Sequence, residues 1–136
     1  MYEKLFQLEI LTPGKVVFKD EASSLSAPGV AGNFQVLYNH APFLSALDVG
    51  EIKVKDKSGS DVSYATSGGF VEVKENHVVV LADAVERSDE IDVERAKAAK
   101  ERAQQRLKSM QMDVDLERAR AALSRANNRL RLIEKG

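Results

Sequence analysis

Cysteine and tryptophan are absent from this 136-residue chain, and only two histidines, His40 and His77, are present. Without cysteine the chain can form neither disulfide bonds nor thiolate metal sites, and two histidines leave little material for a metal centre. The sequence also lacks a nucleophile–base–orienter constellation and a Gly-x-x-x-x-Gly-Lys-Ser/Thr phosphate loop. We therefore expect no catalytic residues, no metal site and no obligatory cofactor.

Long apolar runs are also missing. No stretch approaches the roughly 18 apolar residues that would span a bilayer, and the opening Met1-Tyr2-Glu3-Lys4 lacks the apolar core of a signal peptide. From these two absences we expect a cytosolic protein, or one that is held at a membrane by its partners.

The net charge of −1 conceals a division along the chain. Residues 1–90 carry 8 Lys/Arg and 14 Asp/Glu, a net charge of −6, whereas residues 91–136 carry 12 and 7, a net charge of +5. Opposite charges on two segments indicate separate surfaces with separate partners. The basic segment could bind nucleic acid, a phosphate ligand or an acidic protein, or its charges could form an ordinary solvated helix surface.

The first part of the chain has the alternation of apolar and polar residues that is typical of strands. The predicted strands are 5–11, 22–27, 34–37, 52–55, 62–66, 70–73 and 77–81. The predicted turns and breaks are 12–14, 28–29, 32–33, 56–59 and 75–76. Gly68-Gly69 is interpreted as a bulge or tight packing point. Short strands at this spacing predict a β-sandwich or barrel.

Beyond Arg87 the apolar residues change to a helical spacing. Ser88, Asp89 and Asp92 are plausible N-caps of a first helix, and Asp113 can cap a second. The apolar stripe of the first helix is Ala96, Ala99, Ala103, Leu107 and Met110. The seam of the second is Leu116, Ala119, Leu123, Ala126, Leu130 and Ile133.

The predicted fold is α+β, with an N-terminal β-sandwich of short antiparallel strands, residues 1–87, followed by an antiparallel two-helix hairpin, residues 88–136. Alanines let the helices approach closely but bury little area each. Because two isolated helices of ~20 residues are marginal in water, we expect the hairpin to need docking, a ligand or a partner.

Three stretches of this sequence carry a specific resemblance to one family. They are Gly32-Asn33-Phe34-Gln35-Val36-Leu37-Tyr38-Asn39-His40-Ala41-Pro42, Ser67-Gly68-Gly69-Phe70-Val71-Glu72-Val73 and Ile91-Asp92-Val93-Glu94-Arg95-Ala96. With the alanine-rich hairpin, they make essentially the whole chain resemble the epsilon subunit of the bacterial F-type rotary ATP synthase. Gln35 departs from a common Gly, and Tyr38-Asn39 replaces Pro-Gly. Since Asn tolerates positive φ, we expect the turn at 38–39 to persist.

The resemblance implies a non-catalytic rotor subunit of a proton-translocating synthase. In that family the sandwich binds the gamma subunit and sits on the ring of membrane c subunits of Fo. The hairpin lies folded on the sandwich or extends along gamma into the catalytic head of alpha and beta subunits, where it obstructs ATP hydrolysis. The resemblance also implies a peripheral position on the cytoplasmic face of the cell inner membrane, through the complex alone.

Some members of the family bind ATP on the folded hairpin, so the resemblance implies ATP as a regulatory ligand. The matching positions are Glu86, Asp92, Arg95, Ala96, Arg102, Arg125 and Arg129. The spacings place Asp92, Arg95 and Arg102 on one helix face, and the two later arginines on another. Clustered guanidiniums suit a polyphosphate, because each binds oxygens in a forked geometry. Alternatively, Asp92 is an N-cap paired with Arg95, and the arginines are solvated.

The family's hairpin also meets an acidic segment of the catalytic beta subunits. By charge, the candidate contacts here are Arg106, Lys108, Arg118 and Arg120. By resemblance, the loop containing His40 faces the c-ring, which makes His40 either a rotor contact or an ordinary polar turn residue.

The sequence has three alternatives to a rotor subunit that is regulated by ATP. The main alternative is a purely structural coupling subunit that binds no nucleotide. A nucleic-acid partner is not expected, because the basic residues alternate with acidic ones and the hairpin lacks aromatic residues on which bases could stack. An enzyme is the least favoured alternative.

Overall fold

The computed structural model describes residues 4–109 and 115–135. The chain divides into two compact units, Met1–Arg87 and Ser88–Gly136. The first unit, called the sandwich below, contains the strands β1 Phe6–Thr12, β2 Lys15–Gly29, β3 Gly32–Val36, β4 Phe43–Asp56, β5 Asp61–Lys74, β6 His77–Ala82 and β7 Val85–Arg87. The second unit, called the hairpin, contains a 3₁₀ turn at Ser88–Glu90 and the helices α1 Val93–Lys108 and α2 Leu116–Lys135.

The strands pair in the order β1-β6-β5-β4-β2-β3, with β7 beside β5 and an additional pairing of β1 with β2. Two long strands change neighbours along their length. β2 pairs first with β1 and then with β3 and β4, and β5 pairs first with β7 and then with β6. Strands that pass from one layer to the other in this way build a sandwich around one core.

The predicted fold class is confirmed, and the strands differ from the prediction in detail. β2, β4 and β5 are longer than the predicted segments, and 62–66 and 70–73 belong to the single strand β5. One pair, β1 with β6, is parallel. β5 continues through Gly68-Gly69, whose φ values of 114° and 129° let the backbone bend. A Cβ at Gly69 would collide with the Leu81 carbonyl oxygen, so the predicted tight packing point is confirmed.

The predicted interruption at Pro28-Gly29 is wrong. Both residues continue β2, and the turn occupies residues 30–31, after which Gly32-Asn33 already begins β3. Pro28 lies where the β2–β4 register shifts between Ser26 and Gly29. A proline is tolerated at such an irregularity because no regular ladder hydrogen bond needs its N–H. The turns predicted at 12–14, 56–59 and 75–76 are confirmed.

The core of the sandwich consists of the alternating apolar residues of the strands. On β1, Phe6, Leu8 and Ile10 are at most 1% exposed, while Gln7 and Glu9 face outward, as predicted. The other large side chains that are fully buried are Leu25, Val36, Ile52, Val54, Val71, Val73, Val78 and Val80. Burial of each such side chain contributes about 1.5–3 kcal/mol, so this unit has a substantial core of its own.

The helices begin at aspartate caps. Of the three predicted candidates, Asp92 caps α1: its Oδ1 accepts a hydrogen bond from the Arg95 backbone N at 3.1 Å, while Ser88 and Asp89 lie in the 3₁₀ turn. At α2 the cap is Asp115, whose Oδ1 accepts from the Arg118 backbone N at 3.1 Å. The predicted cap Asp113 and the predicted stripe residue Met110 lie outside the described residues.

The two helices pack against each other through small side chains. Ala96, Ala103, Ala119 and Ala126 are at most 2% exposed, as the predicted stripes require. Leu116 departs from the prediction, because it opens α2 with a side chain that is 44% exposed.

Two buried residues of α2 lie off the predicted seam, Asn128 at 5% and Leu132 at 2% exposure. α2 contacts the 3₁₀ turn as well as α1, so a face broader than one seam is covered. No helix in the described part of the chain is long and apolar enough to cross a membrane.

Candidate functional site

Four of the predicted nucleotide-binding residues lie at or on α1. Arg95 and Arg102 are exposed and lie seven residues apart, which places them two turns apart on one face. Asp92 engages one carboxylate oxygen in capping the helix, and a carboxylate has about four acceptor positions. Capping and ligand binding by Asp92 are therefore compatible. The Ala96 methyl is 2% exposed, so a ligand ring could reach it only by displacing what covers it.

The two predicted arginines of α2, Arg125 and Arg129, lie one turn apart and are half-buried. They differ in this respect from Arg118, Arg120 and Arg131 of the same helix, which are exposed. A half-buried guanidinium keeps its charge and is screened less by water and salt than an exposed one. These two positions therefore suit an anionic ligand better than the rest of α2.

The polar residue Asn128 lies between Arg125 and Arg129 along α2 and is buried. Its Oδ1 accepts a hydrogen bond from Nη2 of Arg131 at 2.6 Å. Sequence reasoning missed Asn128 because an Asn in a helix with a basic, polar surface gives no signal of burial. Arg131, which is not among the predicted nucleotide-binding residues, is therefore hydrogen-bonded within α2.

Glu86 belongs to the sandwich and not to the hairpin. It is half-buried on β7, where its backbone is opposite Ala65 of β5. The structure therefore places six of the seven predicted nucleotide-binding residues in the hairpin unit, on two helices that pack together, and the seventh at the end of the sandwich unit.

The four predicted contacts to the beta subunits lie where the chain passes from α1 to α2. Arg106 and Lys108 occupy the last turn of α1, and Arg118 and Arg120 lie near the start of α2. All four side chains are exposed. Positive charge is favourable at the C-terminus of α1, where the helix dipole is negative. We call these four residues the basic end of the hairpin.

His40 lies in the loop that joins β3 to β4, residues 37–42. Its Nδ1 lies 2.7 Å from the Ala41 carbonyl oxygen, and its ring meets Phe43 edge to face with centroids 5.7 Å apart. Phe43 in turn packs against Phe34, with ring centroids 5.0 Å apart. Asn39 has a φ of 58°, so the turn predicted at 38–39 is confirmed. The loop therefore has a defined conformation and presents an exposed Tyr38 beside the half-buried His40.

An exposed apolar patch covers part of the outer face of β4, β5 and β6. Phe70 pairs with Ala46 on one side and with Leu81 on the other, and Leu44 lies on the same face of β4 as Ala46. Leu44, Phe70 and Leu81 are 69%, 55% and 54% exposed. Sequence reasoning missed this patch, although the continuous apolar run of β6 indicates apolar residues on both faces. Adjacent exposed apolar residues of this kind mark interaction surfaces.

Two carboxyl groups with lowered pKa stabilise the β4–β5 turn. The pKa of Asp56 is held below its ordinary value because its carboxylate accepts hydrogen bonds from the Ser58 hydroxyl at 2.6 Å and from the backbone N of Ser60 at 2.9 Å. The pKa of Asp20 is lowered by a hydrogen bond from the Glu21 backbone N and by Lys57, 3.3 Å away. These groups belong to the stability of the sandwich and not to the candidate ligand site.

Comparison with known families assigns both units. Residues 5–88 match the family described as ATP synthase, Delta/Epsilon chain, beta-sandwich domain, and residues 89–134 match the one described as ATP synthase, Delta/Epsilon chain, long alpha-helix domain.

Individual relatives agree with the family matches. The ATP synthase epsilon chain of Desulforamulus reducens is 53% identical over 106 residues, which cover 78% of this chain and 80% of the relative. That of Geobacter sulfurreducens is 46% identical over 110 residues, 81% of this chain and 78% of the relative.

Two solved structures share the fold at lower sequence identity. A chain of the Euglena gracilis mitochondrial ATP synthase has a TM-score of 0.81 at 21% identity, covering 94% of this chain and 81% of its own length. One from Tetrahymena thermophila has a TM-score of 0.56 at 19% identity, with 99% and 98% covered. With both units matched and close relatives of one kind, the chain belongs to the epsilon-chain family of ATP synthases.

Proposed function

We propose that this chain is a non-catalytic subunit of the central rotor of a proton-translocating F1Fo ATP synthase. In this proposal the sandwich anchors the chain to the gamma subunit and the c-ring, and the hairpin regulates ATP hydrolysis. Family membership supports the proposal, and so do the structural relatives, which come from complexes described as OSCP/F1/c-ring and central stalk/c-ring. The chain then lies at the cytoplasmic face of the inner membrane and is bound there through the complex.

Two surfaces of the sandwich support an anchoring role. The apolar patch of Leu44, Phe70 and Leu81 provides an exposed area whose burial against gamma would be favourable. The loop that contains His40 has a defined conformation, which lowers the entropy cost of a contact with the c-ring.

The hairpin, in this proposal, binds ATP in its folded form. Arg95, Arg102, Arg125 and Arg129 bind the phosphates, and Asp92 and Glu86 orient arginines or accept hydrogen bonds from the adenine amine or the ribose. Ala96 lies beside the site. The observation that carries the proposal is the half-burial of Arg125 and Arg129, compared with the exposed arginines of the same helix.

ATP would then bias the hairpin towards its folded form. A ligand that binds one state stabilises it by RT ln(1 + [L]/Kd), which at ten times Kd is about 1.4 kcal/mol. The helices of the hairpin pack largely through alanines. This energy changes the ratio of the folded to the extended form of the hairpin about tenfold. ATP is thus a regulatory ligand and not a substrate of this chain.

Calorimetric titration of ATP into the full-length chain tests this binding. We expect saturable binding at millimolar ATP or below, and a loss of affinity in Arg95→Ala and Arg129→Ala. Lys97→Ala is the matched control, since it removes an exposed positive charge from α1 without touching the site. Absence of heat at millimolar ATP, or equal affinity in all three variants, would favour the alternative of a coupling subunit that binds no nucleotide.

In the extended form, the basic end of the hairpin contacts the alpha and beta subunits. Arg106, Lys108, Arg118 and Arg120 are all exposed and lie close together along the chain, on either side of the connection between the helices. Four exposed positive charges would steer this end towards an acidic surface of the catalytic head. This contact is the means by which the extended form inhibits ATP hydrolysis.

A further inference from the structure

Asn76 connects three segments that are distant in the sequence. It is the second residue of the β5–β6 turn and has a φ of 60°. Its Oδ1 accepts a hydrogen bond from the backbone N of Asn39 at 2.8 Å, and its Nδ2 donates to the backbone O of Leu5 at 2.9 Å. Its own carbonyl accepts from the backbone N of Gln7 at 3.1 Å. Both ends of its amide are therefore engaged in bonds between segments.

The bond to Asn39 acts at the strained point of the β3–β4 loop. Asn39 has a φ of 58°, a left-handed conformation that non-glycine residues adopt at a cost. Holding its N–H fixes the plane of the peptide that precedes it, and the next residue along the chain is His40. The His40 ring then packs edge to face on Phe43, at the start of β4. The orientation of the loop thus depends on a side chain 37 residues away.

We propose that Asn76 is the positioning residue of the His40 loop, which it holds in the conformation that contacts the c-ring. The inference rests on the proposed function, which assigns that contact to this loop. A loop that is ordered before association loses less conformational entropy when it binds. A neutral hydrogen bond contributes enough to change an equilibrium about fivefold. Removal of the Asn76 amide therefore weakens the association by about that factor.

The test uses three variants of the full-length chain. Asn76→Gly keeps the positive φ available and removes the amide, whereas Asn76→Asp keeps the oxygen that accepts from Asn39 and loses the donor to Leu5. Glu75→Gly is the matched control, because it makes the same kind of change one residue earlier in the same turn, at a φ of 52°.

Two measurements are made on each variant. Backbone amide exchange of Asn39 reports the hydrogen bond, and binding to membrane vesicles that carry the synthase stripped of this chain reports the contact. We expect Asn76→Gly to speed the exchange and to weaken the binding, each about fivefold. We expect Glu75→Gly to stay close to the unmodified chain. Asn76→Asp should keep the slow exchange of Asn39 and most of the binding while lowering the stability of the sandwich, because its second carboxylate oxygen faces the Leu5 carbonyl oxygen. Rescue by aspartate separates positioning of the loop from a general loss of stability.

His40→Ala in the same binding assay separates failure of the inference from failure of the proposed contact. If His40→Ala weakens binding and Asn76→Gly does not, the positioning role is overturned and the loop contact stands. If neither variant weakens binding, the contact between this loop and the c-ring is overturned together with the inference. If Glu75→Gly reproduces both effects of Asn76→Gly, the effects belong to the turn, and the positioning role is again overturned.

Discussion

The sandwich and the hairpin are stabilised by side chains of different size. The largest fully buried side chains of the described residues all belong to the sandwich, and most are Phe, Leu, Ile or Val. In the hairpin the residues below 3% exposure are four alanines and Leu132. A buried alanine methyl contributes about 0.8 kcal/mol, against about 1.5–3 kcal/mol for a buried Leu, Ile or Phe. Each buried position therefore contributes more to the stability of the sandwich than to that of the hairpin, which supports the proposed roles of anchor and reversible regulatory element.

Removal of the hairpin is the change expected to have the largest effect, and it tests the division of roles between the two units. We expect a chain that ends at residue 87 to keep a folded sandwich, since that unit contains its own core. When it replaces the full-length chain in the assembled synthase, ATP hydrolysis should rise, because the proposed function assigns inhibition to the hairpin. ATPase activity measured with each chain checks this. An unfolded truncated chain, or unchanged hydrolysis, would contradict the division of roles.

Core substitutions in the two units should differ in size. Ile52→Ala removes a fully buried side chain from the sandwich and should lower its free energy of unfolding by about 2–5 kcal/mol. Ala126→Gly in α2 should destabilise the hairpin by about 1 kcal/mol. Tyrosine fluorescence reports the sandwich alone, since all three tyrosines precede residue 88, and helical circular dichroism reports the hairpin.

Urea titrations followed by both probes separate the two effects. Ile52→Ala should shift the fluorescence midpoint, and Ala126→Gly should shift only the helical one. A single transition that both variants move equally would mean that the two units unfold as one cooperative unit, which would contradict their independent stability.

The two units also differ in how much of their structure could be predicted from the sequence. The core of β1 was predicted from alternation alone, because a strand with one buried face must place its apolar residues two apart. The continuation of β5 through Gly68-Gly69 and of β2 through Pro28 was not predicted. Glycine and proline ordinarily end strands, and only the neighbouring strands show that here they bend one or lie at a register shift.

In the hairpin, local patterns were found and non-local ones were missed. The Asp92 cap was among three candidates because a capping bond spans only four residues, and the structure selects it by placing Ser88 and Asp89 in the 3₁₀ turn. The burial of Asn128 and Leu132 depends on a face of α2 that a single seam does not include. The arginines of the candidate site were identified by resemblance, and their half-burial on α2 is visible only in the fold. The sequence likewise identifies Asn76 only as a turn residue, and the structure adds its hydrogen bond from the backbone N of Asn39.

Asp92 offers a smaller test that separates the cap from the ligand site. Asp92→Ala should destabilise α1 by about 1 kcal/mol, because the Arg95 N–H loses its acceptor. Asp92→Asn keeps a capping oxygen, so the helical midpoint should remain unchanged while the carboxylate charge is lost. If ATP affinity falls in both variants, the charge serves the ligand. If it falls only in the alanine variant, ATP binding requires no more of Asp92 than its role as a cap.

The smallest expected effect is a dependence of the sandwich on acid pH that comes from the β4–β5 turn. The pKa of Asp56 is lowered in the folded chain, so the unfolded chain binds a proton more readily. Its contribution to stability is therefore complete above the ordinary pKa of 3.8 and is lost as the pH falls through the lower folded value. Asp56→Asn keeps an oxygen that can accept from Ser58 and Ser60 but does not titrate. The fluorescence midpoint of this variant should fall less steeply with acid than that of the unmodified chain. The helical midpoint should respond identically in both, and a shift there would show that the β4–β5 turn also supports the hairpin.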